Sequence, residues 1–70
     1  MRIHADRLVR LRMKKRWTQA QVAEKANINV VTYGKAERGG YNFQPLIVER
    51  IARALGVDRD ELIQEEKVSA

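Results

Sequence analysis

Apolar residues recur along this chain at helical spacing, and nowhere do they alternate as a half-buried strand would. Leu8 and Leu11 lie three apart and predict a first helix from about Ala5 to Lys15, with Val9 and Met13 as a second apolar pair on the same helix. Val22, Ala23 and Ala26 form the inner stripe of a second helix, Gln19 to Ala26. A third runs from Val30 to Arg38, with Tyr33, Ala36 and Glu37 inward and Val31, Gly34, Lys35 and Arg38 outward at i, i+3, i+4 and i+7. Val48, Ile51, Ala52 and Leu55 mark the buried face of a fourth, Pro45 to Leu55, and Leu62 and Ile63 belong to a short fifth. Trp17, between the first two helices, is expected to plug the core. The pattern predicts an all-α fold, a compact bundle of five short helices in one domain over residues 1–70. Gln64 to Ala70 has little to pack and is expected to fray.

Start and stop signals agree with these boundaries. Thr18 and Gln21 have the spacing of a capping box, in which a side chain and a backbone N–H serve each other reciprocally. Asn27 stands where the chain must reverse, and Asn tolerates the left-handed conformation better than any residue except Gly. Asn29 caps the third helix and Gly39 stops it. Residues 39–44 read as a loop, Pro45 opens the fourth helix at a position that needs no N–H, and Gly56 ends it. Asp58 and Glu61 make a second capping box. Arg16 occupies the stop of the first helix, which costs some cap stability. Helices over 18–26 and 30–38, joined by so short a turn, have the spacing of a helix-turn-helix, whose second helix enters the DNA major groove.

From Leu8 to Ile63 the chain resembles the lambda-repressor/Cro-like (xenobiotic-response-element type) helix-turn-helix family. The resemblance rests on Leu8-x-x-Leu11-Arg12, Thr18-Gln19-x-x-Val22-Ala23, Ile28-Asn29, Glu37-Arg38-Gly39 and Ile51-Ala52-x-Ala54-Leu55-Gly56-Val57-x-x-x-Glu61-Leu62. It implies a lambda-repressor-like DNA-binding domain with base-edge contacts from Val30, Val31, Gly34 and Lys35. It also implies a structural ion pair between Arg12 and Glu37, linking the first helix to the third. The family usually carries a branched aliphatic at Tyr33 and a large apolar residue at Ala36, so large and small are exchanged here.

The chain's net charge of +5 is unevenly placed. Residues 1–38 carry ten Lys/Arg against three Asp/Glu, whereas residues 39–70 carry four against six. A basic half that also contains the reading helix suits a polyanionic partner. Gln19 lies at the start of the second helix, where free N–H groups and the helix dipole attract phosphate. Asn29, Arg16, Thr32, Arg38, Tyr41 and Asn42 complete the candidate DNA-backbone contacts. Val30 and Val31 cannot hydrogen-bond a base but can pack on thymine methyl groups.

Other chemistry is poorly supported. There is no Cys, His4 is the only histidine, and Ser69 is the only serine, so nucleophilic triads and Cys/His metal sites are not expected. Asp58, Asp60 and Glu61 lack the spacing and glycine of a calcium loop. No cofactor is expected, no apolar run is long enough to span a membrane, and Arg2, Arg7, Arg10 and Arg12 interrupt any secretory leader. The expectation is a cytoplasmic, bacterial or phage-encoded regulator rather than an enzyme, with double-stranded DNA as partner. Chains this small bury about 60% of their unfolded surface and are marginal alone, which predicts a homodimer through Leu62 and Ile63. A different class of function fits the same residues, that of an antitoxin whose main partner is a toxin protein.

Overall fold

A computed structural model describes residues 1–64 and contains α1 (Ala5–Lys15), α2 (Gln19–Ala26), α3 (Val30–Arg38), α4 (Pro45–Leu55) and α5 (Arg59–Leu62). Most of the expected frayed tail lies outside the described residues. There is no strand among them. α2 packs against both α3 and α4, α1 lies against α3, and α4 against α5.

Each helix end has a local cause. At α1 the His4 imidazole accepts the Arg7 N–H at 3.4 Å, and the helix ends on Arg16 with φ at 58°. A left-handed conformation strains any residue with a Cβ, so Arg16 does at a cost what glycine would do freely. The α2 capping box is complete: Thr18 Oγ1 accepts the Gln21 N–H at 3.1 Å, and Gln21 Oε1 accepts the Thr18 N–H at 2.8 Å. Asn27 closes α2 with φ at 56°, and two residues later the Asn29 side chain accepts the Val31 N–H at 2.7 Å to open α3. These adjacent caps make the tight reversal that sets α2 against α3.

The core is one cluster. Leu8, Val22, Tyr33, Val48, Ile51, Leu55 and Leu62 are fully enclosed, and Ala23, Ala26, Ala36 and Ala52 fill the narrow gaps between helices. Full burial of each large aliphatic or aromatic side chain contributes roughly 1.5–3 kcal/mol, which is how so small a domain offsets its chain entropy. Tyr33 and Ala36, where large and small are exchanged, lie one turn apart on α3 and are both buried.

Two expectations need correction. Trp17 is only partly buried: it packs on the edge of the core, and Lys25 Nζ and Lys15 Nζ stand 4.7 and 5.7 Å from its ring centre. Leu62 is wholly buried in its own domain, and Ile63 is half covered, so Leu62 has no surface to offer a second copy. Residues preceding α1 also take part in the fold. Ile3 is buried in the core, and the N-terminal segment makes β-bridges, Arg2 to Asn42 and Ile3 to Ile63.

Candidate nucleic-acid interface

The site is built around the carboxylate of Glu37, on α3. Arg12, from α1, donates to it through Nε at 2.6 Å and Nη2 at 3.2 Å. The remaining guanidinium nitrogen donates to the Trp17 carbonyl at 2.9 Å, and Gln19, the first residue of α2, donates Nε2 to Glu37 Oε1 at 2.9 Å. One carboxylate therefore gathers α1, α2 and α3 at a single point. Burial alone would raise the Glu37 pKa, but its bonds from Arg12 and Gln19 and the Arg12 charge hold it below the usual carboxylate range. Arg12 is raised in turn, chiefly by the bond to Glu37, so both groups stay charged at neutral pH. The Tyr33 hydroxyl sits beside this pair, buried and without a well-formed hydrogen bond among the described residues. Burial is the main reason its pKa lies far above the ordinary tyrosine range.

Gln19 has a second consequence. With Thr18 bonded to the Gln21 amide, the first amides of α2 keep no intrahelical acceptor and remain for an outside anion. Because the Gln19 side chain donates to Glu37, the start of α2 is linked directly to α3.

On α3 the expected readers divide. Val30 and Val31 are 45% and 60% exposed at the start of the helix, and Lys35 and Arg38 are exposed further along. Thr32 is half-buried, and Asn29 is exposed while its side-chain oxygen caps the helix. Gly34 does not lie on the outward face expected for it. It is buried against α2, and a Cβ there would stand 3.8 Å from Gln19 Oε1. Spacing alone placed Gly34 one turn from Val31 and Arg38, but the approach of α2 covers it.

The flanking candidates fall into two groups. Tyr41 is 41% exposed and its ring lies 5.7 Å from Lys35 Nζ, so α3 and the loop after it share a contact that spacing did not reveal. Asn42 is exposed, with its backbone bridged to Arg2. Arg16 is exposed at the left-handed end of α1, two residues before the α2 cap. Lys15 and Lys25, which no spacing argument singled out, add cations over Trp17 beside it.

Among the described residues no cluster of His, Cys, Asp or Glu is arranged to hold a metal ion, and no helix is long and apolar enough to cross a membrane. Comparison with curated proteins and with solved structures yields no match. A family model described as helix-turn-helix matches residues 8–62. That span runs from Leu8 of the core through the Arg12–Glu37 pair to Leu62, and the five-helix order is that of the lambda-repressor-like all-α fold. The chain belongs to the Cro/C1-type helix-turn-helix family of DNA-binding regulators.

Proposed function

We propose that this protein is a sequence-specific, double-stranded-DNA-binding transcriptional regulator of the phage-repressor, controller-protein or autorepressor type, acting as a homodimer on inverted half-sites. The observation that carries the reading is the exposed start of α3, with Val30, Val31 and Lys35 outward, linked to the N-terminal end of α2 by the hydrogen bond from Gln19 to Glu37. A reading helix fixed to a phosphate clamp is what base recognition needs, since backbone contacts set the register in which base edges are read.

In this reading Lys35 contacts a guanine edge, and Val30 and Val31 pack on thymine methyl groups. Gln19, Arg16, Asn29, Thr32, Arg38, Tyr41 and Asn42 serve the phosphate backbone. Gly34 takes no part in base reading. The dimer uses the open cleft between α4 and α5, lined by Glu49, Arg53, Val57, Asp58 and Arg59. Its balanced charges let two copies meet without the repulsion that the basic N-terminal half would impose, and an isologous contact needs such self-complementarity.

Selection of bound duplexes from a random pool, followed by titration of variants, tests this. Lys35→Ala is expected to relax preference at one position of each half-site, at a cost of roughly 1–3 kcal/mol. Arg38→Ala is expected to weaken all duplexes alike and to reduce the salt slope by about 0.9 for each phosphate that it no longer neutralises. Val31→Ala should matter most on sites carrying thymine opposite α3. Equal binding of all these variants to every duplex would remove α3 as the reader and put a toxin-binding role ahead.

A further inference from the structure

Residues 1–4 run antiparallel between two other pieces of backbone. On one side Met1 and Phe43 exchange both backbone bonds, each at 2.7 Å, and Arg2 bridges to Asn42. On the other, the His4 N–H donates to the Leu62 carbonyl at 2.7 Å, the Gln64 N–H to the Arg2 carbonyl at 2.9 Å, and Ile3 bridges to Ile63. Between these ladders the Ile3 side chain, 3% exposed, plugs into the core.

The loop that this segment holds has little order of its own. Gly39 and Gly40 both have positive φ, at 80° and 82°, and Gln44 makes no side-chain cap to α4. Two consecutive glycines leave such a loop many conformations of similar energy. Yet Tyr41 is placed with its ring 5.7 Å from Lys35 Nζ and 6.4 Å from the Phe43 ring, and Phe43 packs on the core. The backbone pairing of Asn42 and Phe43 with residues 1 and 2 begins at the residue that follows Tyr41.

We infer that the N-terminal segment, anchored by Ile3, is a positioning strap for the reading helix: by pairing with Asn42 and Phe43 it holds Tyr41 under Lys35 and so sets where the Lys35 ammonium sits. A lysine head on its flexible stem is a poor discriminator unless something limits its rotamers, and an aromatic face beside it supplies that limit. Ile3 touches no DNA in this arrangement; it acts through the loop. The inference rests on the reading of Lys35 as a base contact only for its consequence in binding, so the experiment has one arm without DNA and one with it.

In the free protein, Ile3→Ala is expected to speed amide exchange at Phe43 by about tenfold more than at Ile51 and Leu55, because local release precedes global opening. The Lys35 side-chain resonances should lose the ring-current shift from Tyr41. Should Ile3→Ala fail to fold, Ile3→Val, which removes one methylene, gives the same pattern at smaller amplitude. With duplexes selected from a random pool, Ile3→Ala should narrow the gap between preferred and non-preferred sequences, and should have no such effect in a Lys35→Ala background. Uniform acceleration of exchange, or unchanged Lys35 resonances, would overturn the strap. If the resonances move as expected while Lys35→Ala discriminates as well as the original protein, the strap stands and base reading by Lys35 fails.

Discussion

Arg12 spends every nitrogen of its guanidinium on one small region: two on Glu37 and the third on the Trp17 carbonyl. The two side chains are 19% and 6% exposed, and the bidentate geometry uses the planar fork as only arginine can. The pair ties the first helix to the third, and Gln19 adds the second. The orientation of α3 relative to α1 and α2 therefore depends on this one contact.

Truncating either member leaves the other as a poorly compensated, partly buried charge. Arg12→Ala and Glu37→Ala are each expected to lower stability by roughly 3 kcal/mol, and the double variant by much less than the sum. Chemical denaturation of the four proteins in a double-mutant cycle measures this. Additive losses would show that the two side chains do not act as a pair.

Acid should act through the same ion pair. Glu37 has a folded pKa below the usual 4.5, so its stabilisation is complete above that value and disappears as the pH falls through the folded one. Arg12, with its pKa raised further by the bond to Glu37, introduces no loss in the neutral range. Denaturation midpoints recorded from about pH 6 down to about pH 3 should therefore fall more steeply for the original protein than for Glu37→Gln. Parallel curves would mean that other carboxylates carry the acid sensitivity.

Arg16 presents a trade between folding and binding. Its left-handed φ of 58° strains a residue with a Cβ, so Arg16→Gly is expected to stabilise the domain by about 1 kcal/mol. If the guanidinium also meets a phosphate, the same change should weaken DNA binding and reduce the salt slope by about 0.9. Thermal melts and salt-dependent titrations report the two effects separately. A melt that falls would show that Arg16 makes a folding contribution larger than its strain.

Gly34 carries the opposite lesson. A Cβ there meets Gln19 Oε1 at 3.8 Å, an ordinary contact, and a mid-helix glycine costs about 1 kcal/mol relative to alanine. Gly34→Ala should therefore raise the melting temperature, by about 4–8 °C for a domain of this size. Because the residue is buried beneath α2, discrimination among duplexes should be unchanged. Loss of sequence preference with an intact fold would put Gly34 back at the DNA surface.

What the amino-acid sequence determined by itself is local. The caps at Thr18, Asn27, Asn29 and Gly56 depend on residues one to four positions away, and the helical stripes of α2 and α4 need only their own periodicity. Exposure of Val30 and Val31 at the start of α3 was readable in the same way. Tertiary structure decided whatever depends on which element comes to lie against another. Periodicity put Gly34 on a face with Val31 and Lys35 but could not say that α2 would cover this one position. It marked Leu62 as apolar without saying whether its own core or a second copy would take it. The N-terminal strap was invisible because its partners are backbone groups up to 62 positions away, and every residue type but proline presents the same N–H and C=O. The Lys35–Tyr41 contact was hidden for a related reason: a loop with two glycines has no preferred path until pairing elsewhere in the chain selects one.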